Sequence, residues 1–279
     1  MTGVLYVVAT PIGNLDDWSP RAIATLKNVS VIAAEDTRHS GRLLQHFGID
    51  TPLMAVHDHN EGARSAGLVT RLQAGEDIAL ISDAGTPLVS DPGYRLVAAA
   101  QAGGVRVVPV PGACAAITAL SAAGLPSDRF AFEGFLPAKS AARRARLGSL
   151  ATAAHTMIFY EAPHRILECL DDMVAELGPA RRAVLARELT KTFETIRQAS
   201  LGELQAWVAG DANQQRGEIV VILEGAPEVA EGETDWREAD RILGILMADL
   251  PPRKAAALAA EITGFKKNVL YERALAAKG

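Results

Sequence analysis

Over the first 123 residues short apolar runs alternate with helical stretches, and this alternation restricts the fold more than any other feature of the chain. The runs Leu5–Ala9, Val29–Ala34, Pro52–Val56, Asp77–Ser82 and Val105–Pro109 have the composition of strands buried on both faces. Helical stretches follow them: from Pro20 to about Lys27, up to about Phe47, Glu61–Gln73, Tyr94–Gln101, and an Ala-rich one ending near Ala123. Strand alternating with helix implies a parallel sheet with helices on both faces. Ser19-Pro20 reads as an N-cap followed by proline at the first helical position, and Ser90-Asp91-Pro92 repeats that signature with Asp91 as the cap. Between Ser82 and Asp91, Gly85 and Pro87 demand a tight turn, since glycine allows positive φ and proline fixes φ and removes a donor. Such turns at the carboxyl ends of strands are where α/β proteins take small ligands. A Pro/Gly-rich connection without a ligand has the same composition, so spacing alone leaves both readings open.

Gly124-Leu125-Pro126 is the best domain boundary. Beyond it, Phe130–Phe135, Thr156–Tyr160, Ala183–Arg187 and Glu218–Glu224 read as strands with helices between, a second, mixed α/β domain. The acidic stretch 224–240 then leads into helices from about Trp236 to Leu250, from Arg253 after Pro251-Pro252, and from Gly264 to the end. The expected division is residues 1–123, 124–225 and 226–279. The last segment suits a small helix-turn-helix-like module and, equally, a three-helix tail.

Several activities lack their residues. No GxGxxG follows the first strand, and neither GxxxxGK[ST] nor GxSxG occurs, which speaks against a dinucleotide-binding Rossmann domain, a P-loop nucleotidase and an α/β-hydrolase. His57-Asp58-His59 lacks a third ligand, so no metal site is expected. Cys114 and Cys169 match no zinc or CxxC spacing and fit a reduced cytoplasm. No apolar run reaches membrane-spanning length, and the N-terminus lacks the basic region of a signal peptide. The net charge of −5 argues against a generic polyanion binder. Its distribution is uneven, however. Lys139, Arg143, Arg144 and Arg146 share one expected helix in a stretch without acids. The C-terminal helices carry Arg253, Lys254, Lys266, Lys267, Arg273 and Lys278 against Glu261 and Glu272. Two basic surfaces on an acidic chain suit phosphate contacts, and solvated helix faces are the alternative.

In a doubly wound sheet the polar or Gly/Pro-rich strand tips at Pro11–Asn14, Glu35–Arg38, Asp83–Pro87, Pro111–Ala115 and Tyr160–Arg165 converge on one crevice. The small residues Pro111 to Ala115 would let a flat ligand approach the backbone, or would serve tight helix–sheet packing equally well.

Taken together, VATPIGNLDD (8–17), AAEDTR (33–38), ISDAGTPLVSDPG (81–93), PVPGACAAITAL (109–120), FEGFLP (132–137), FYEAPHR (159–165), ELTKTFE (188–194) and RGEIVVILEG (216–225) closely resemble the RsmI family. These are bacterial 16S rRNA 2′-O-ribose methyltransferases within the tetrapyrrole methylase superfamily, the class III S-adenosylmethionine methyltransferases. The resemblance runs over nearly the whole chain and is weakest at 226–250. It implies a tetrapyrrole methylase fold of two α/β domains with S-adenosylmethionine in the cleft, a homodimer, no metal, and a decoding-centre cytidine of the small ribosomal subunit as target. Cofactor contacts are expected at Pro11, Ile12, Asp83, Gly85, Thr86, Pro87, Val89, Ala113, Cys114, Ala115, Tyr160, Gly217 and Glu218.

A ribose hydroxyl attacking a sulfonium methyl needs alignment and removal of a proton. Candidates to take or orient that proton are Glu35, Asp36, Glu161 and His164, with Arg38, Arg165 and Lys191 to hold phosphates. Any of these carboxylates could instead be a helix cap, and Glu188 and Glu194 read as structural or dimer contacts. Two alternatives remain: a corrin, porphyrin or diphthine-type methylase, and a non-catalytic ribosome assembly factor. Against the first, ATPIGNLDD replaces the glycine-rich loop after the first strand of the tetrapyrrole branch, and Thr86 stands where diphthine synthases carry an acid.

Overall fold

The computed structural model describes residues 2–57, 61–227 and 236–276. One compact unit comprises residues 1–147 and 156–224, and a second comprises residues 148–155 and 225–279.

The first unit contains two five-stranded sheets. Strands β1 (Val4–Val8), β2 (Val31–Ala34), β3 (Leu53–Ala55), β4 (Ile78–Ile81) and β5 (Arg106–Val110) lie in the order β3-β2-β4-β1-β5, all parallel. Every residue of β2 and β4 is buried, as continuous apolar runs require when helices cover both faces. The crossover helices are α1 (Pro20–Asn28), α2 (Thr37–His46), α3 (Glu61–Gln73) and α4 (Tyr94–Ala102), and α5 (Ala115–Ala123) follows β5. Ser19 caps α1 as expected, its side chain accepting from the Ala22 N–H. Two cores result, one around Val8, Leu26, Ile32 and Ile81, the other around Leu5, Leu68, Leu72 and Leu96.

The second sheet consists of β6 (Phe130–Phe135), β7 (Thr156–Glu161), β8 (Arg182–Arg187), β9 (Thr195–Ser200) and β10 (Ile219–Leu223), in the order β6-β7-β10-β8-β9. Only β6 and β7 run parallel; the other neighbours are antiparallel. Helices α6 (Ser140–Leu150), α7 (Ile166–Leu177) and α8 (Leu201–Gly210) complete this half. Helix α5 packs on this sheet: Ala116, Ala119, Leu120 and Ala123 share a core with Ile158, Val184, Val220 and Ile222. Small residues on α5 therefore do serve close helix–sheet packing. Strand β9 was not expected from the sequence. It is an edge strand with no buried side chain and no apolar run.

The second unit holds α9 (Arg237–Asp249), α10 (Pro252–Thr263) and α11 (Lys267–Ala276), with Gly264 in the left-handed conformation closing α10. Ala239, Leu243, Ala255, Ala259 and Leu270 form its core. Arg273 stacks over Trp236 at 4.8 Å and donates to Asp240 at 2.7 Å. The acids at 228–235, Asp58, His59 and Lys278 lie outside the described residues. No helix among the described residues is long and apolar enough to cross a membrane.

Candidate active site

The carboxyl ends of β1, β4 and β7, the head of α5 and the chain entering β10 surround one cavity of about 350 Å³. The first sheet contributes its wall through a strained turn. An isolated antiparallel bridge joins Thr10 and Gly85, with the Thr10 N–H donating to the Gly85 carbonyl at 2.9 Å and the Gly85 N–H to the Thr10 carbonyl at 3.1 Å. Gly85 has φ +84°, and a Cβ there would press on Ile12 at 3.2 Å. Leu88 and Ser90 also adopt positive φ, of 72° and 67°. Such conformations cost non-glycine residues about 1–3 kcal/mol each and persist where the surroundings impose them. The Thr86 hydroxyl donates to the Ala113 carbonyl at 2.9 Å, tying the turn to the head of α5.

That turn overturns the expected helix start at Asp91. Helix α4 begins at Tyr94, with Gly93 in the cap position at φ +128° and no side-chain cap of its own. The cap comes from a distance: buried Glu61 of α3 accepts the Arg95 and Leu96 N–H groups at 2.8 and 3.3 Å. Asp91 is thereby left lining the cavity. Burial pushes its carboxyl up to about 6, with the like charge of Asp83 adding and a hydrogen bond to Ser82 opposing.

The opposite wall comes from the second sheet. The Tyr160 oxygen accepts the Ala116 N–H in the first turn of α5 at 3.1 Å, and Phe132 and Phe135 meet its ring edge-on at 4.8 and 5.7 Å. Burial, and after it the neighbouring Cys114, pushes the phenol far up, so it stays neutral. Glu161 is enclosed, accepting from the Ala162 N–H at 2.8 Å and from Arg165 at 3.2 Å; Arg165 also donates to the Leu136 carbonyl at 2.8 Å. Glu218 pairs with Lys191 at 3.1 Å, and Lys191 also reaches Glu188 at 3.0 Å. The Glu188 carboxylate accepts the Glu218 N–H at 2.9 Å. Between them Gly217 has φ +78°, and a Cβ there would collide with the Glu188 carboxylate.

Of the residues expected to meet a cofactor, Ile12, Gly85, Thr86, Val89, Cys114, Ala115, Tyr160, Gly217 and Glu218 line this cavity, as does the candidate base Glu161. Pro11, Asp83, Pro87 and Ala113 flank it instead. Asp83 accepts the Asp36 N–H at 3.1 Å, joining the tips of β4 and β2. Asp91, Ser90, Phe135, Ile219 and Val220 line the cavity without having been expected there, whereas Ala162 and Pro163 line it from the tip 160–165 expected at the crevice. Asp91, Ser90 and Phe135 sit inside the quoted motifs 81–93 and 132–137, which is the one signal that pointed at them.

Other candidates take structural positions. Asp36 caps α2, accepting the Arg38 and His39 N–H groups at 2.8 and 3.4 Å, and these bonds hold its carboxyl below the usual range. Glu35, Arg38 and His164 are not among the cavity's lining residues; Arg38 and His164 are exposed. The basic stretch of α6 is not one free surface. Arg143 is buried, bonds Asp172 at 2.6 Å and cannot meet a phosphate. Arg144 pairs with Glu176 and Arg146 with Glu133, whereas Lys139 is exposed. Arg253, Lys254 and Lys267 are exposed on the C-terminal helices, and Lys266 is exposed just before α11.

Residues 4–205 match the model of the tetrapyrrole (corrin/porphyrin) methylases, and residues 233–278 that of the RsmI C-terminal helix-turn-helix domain. The chain is 64% identical over 277 residues to ribosomal RNA small subunit methyltransferase I of Pseudomonas aeruginosa, covering 99% of this chain and 98% of that one. This chain belongs to that methyltransferase family. A family member from Escherichia coli O157:H7 is 58% identical, over 99% of this chain and 96% of its own. Among solved structures the methyltransferase CobJ shares the fold, with a TM-score of 0.59 at 21% identity over 82% of this chain and 98% of that one. Family and fold thus agree with the two-sheet architecture, and the helix-turn-helix match favours a module over a plain tail.

Proposed function

We propose that this chain transfers the methyl group of S-adenosylmethionine to the 2′-hydroxyl of a decoding-centre cytidine in 16S rRNA of the small ribosomal subunit. The observation that carries the reading is the end-to-end likeness to relatives named ribosomal RNA small subunit methyltransferase I, whose resemblance motifs here surround one cavity. A cavity of about 350 Å³ falls within the range of small-ligand sites, roughly 300–1,000 Å³. Ile12, Val89, Ala115, Phe135 and Val220 give it apolar walls for an adenosine, and the bare backbone at Gly85 and Gly217 leaves room for close approach. When bound, S-adenosylmethionine supplies an electrophilic methyl on a positively charged sulfur. The carboxylates along the walls suit that charge.

The protein's own part is chiefly to align. Holding the hydroxyl and the methyl in line contributes up to about 7–11 kcal/mol, against roughly 10²–10⁴-fold for a base. The turn 82–91, pinned to Thr10 and Ala113, and Tyr160, pinned to α5, are the rigid parts on which that alignment rests. Within the first unit the division at residues 123 and 124 then separates two α/β halves that each supply one wall. Exposed Lys139, Arg253, Lys254, Lys266 and Lys267 supply phosphate contacts for RNA docking. A homodimer follows from the resemblance; exposed Phe193 just before edge strand β9 and Ile196 within it offer apolar surface. The free thiols Cys114 and Cys169 accord with a cytoplasmic location.

The test is transfer of a labelled methyl group to small subunits that lack 2′-O-methylation, with naked 16S rRNA and a porphyrinogen in parallel and the product mapped. Label on a decoding-centre ribose is expected. Label on the porphyrinogen alone would move the chain to the tetrapyrrole branch.

A further inference from the structure

Three carboxylates line the cavity, and two of them are committed. Glu161 is held by Arg165 and the Ala162 N–H, and Glu218 by Lys191. Asp91 differs: it forms no ion pair with any described residue, and its interactions are a hydrogen bond with Ser82 and repulsion from Asp83. It is held there by construction. Positive φ at Leu88, Ser90 and Gly93 accompanies a helix that starts only at Tyr94, and Glu61, not Asp91, accepts its first-turn N–H groups, those of Arg95 and Leu96. A strained turn that denies a carboxylate its cap and lays it on a cavity wall is the pattern of a functional group rather than a structural one.

Resting on the methyl-transfer reading above, we propose that Asp91 is the catalytic base, its carboxylate taking the proton of the ribose 2′-hydroxyl as the methyl group arrives. The hydroxyl oxygen forms the new O–CH3 bond while the S–CH3 bond breaks. The bonding pair stays on sulfur, which becomes a neutral thioether, and the carboxylic acid then returns its proton to solvent. A group that titrates near 6 is ionised at neutral pH and is still basic enough to accept a proton in the transition state. The other candidates lack one condition each: Asp36 is a helix cap held below the usual carboxylate range, Glu161 is clamped by Arg165, and His164 is exposed away from the cavity lining.

The ionisable groups around Asp91 are Asp83 of its own turn, Tyr160 and Glu161 at the end of β7, Cys114 at the head of α5, and Glu218 before β10. Tyr160 remains neutral across the working range, so the limb to be measured belongs to a carboxylate.

The experiment is a single-turnover pH profile of methyl transfer to undermethylated small subunits, with S-adenosylhomocysteine affinity measured beside it. For the unaltered protein the rate is expected to fall tenfold per pH unit on the acid side and to level off above it, with the limb at or below the ligand-free value of about 6 because the sulfonium charge favours the carboxylate. Asp91→Asn should lower the rate by roughly 10²–10⁴-fold and abolish the acid limb, while cofactor affinity changes less than about threefold. Asp91→Glu should retain part of the rate with a displaced limb. An Asp91→Asn rate within about threefold of the unaltered protein, or a loss confined to cofactor affinity, would overturn the assignment. Absence of transfer by the unaltered protein would refute the methyl-transfer reading instead, so the two failures are distinct.

Discussion

The two walls of the cavity are built on opposite electrostatic plans. On the second sheet's wall each acid has a cation: Glu161 with Arg165, Glu218 and Glu188 with Lys191. On the first sheet's wall Asp91 has none among the described residues, and the turn that carries it has positive φ at Leu88 and Ser90. Paired acids fix geometry, because each partner's position is set by the other. An unpaired acid in a half-buried place keeps its proton affinity available. The difference separates acids tied to a cation from one left without such a partner among the described residues.

The paired wall is most vulnerable at Arg165. Arg165→Met leaves Glu161 buried without a counter-charge, which should cost about 3–5 kcal/mol of stability in urea unfolding at pH 8. Next in size, Gly217→Ala forces a left-handed backbone on alanine and drives its Cβ into Glu188. A loss of about 1–3 kcal/mol in the same assay, with weaker S-adenosylhomocysteine binding by calorimetry, is expected. Tyr160→Phe removes the acceptor of the Ala116 N–H and should cost roughly 1 kcal/mol.

A further effect has the opposite sign. The carboxyl of Asp91 titrates near 6 in the folded chain, above its ordinary 3.8, so the native state holds that proton more tightly than the unfolded state. Its ionised form therefore weakens the fold, fully above pH 6 and not at all below 3.8. Thermal unfolding of Asp91→Asn should show a raised Tm at pH 8 and no gain below pH 3.8. A variant that unfolds earlier at pH 8 would make Asp91 a structural acid like Glu161.

The alternation of apolar runs and helices was enough to foresee the parallel sheet, because strands buried on both faces must be apolar throughout. Strand β9 escaped notice for the converse reason: Thr195–Ser200 lies at an edge, and its pairing with β8 is carried by backbone groups that composition does not reveal. The motifs located most of the cavity wall. What they could not show was the part of each charged side chain that depends on a distant partner. Asp91-Pro92 looks like a helix start, yet Glu61, thirty residues upstream, takes the cap. Arg143 looks like a phosphate contact, yet Asp172 on α7 draws it into the interior. Local sequence fixes conformation over a few residues, while pairing and burial are settled across the fold.

The most direct measurement is a crystal structure with S-adenosylhomocysteine bound. The ligand is expected between the two walls, against Gly85, Gly217 and Tyr160, with its sulfur on the side of the cavity that Asp91 lines. A ligand seated elsewhere, or one whose sulfur is walled off from Asp91 by the rest of the cofactor, would contradict it.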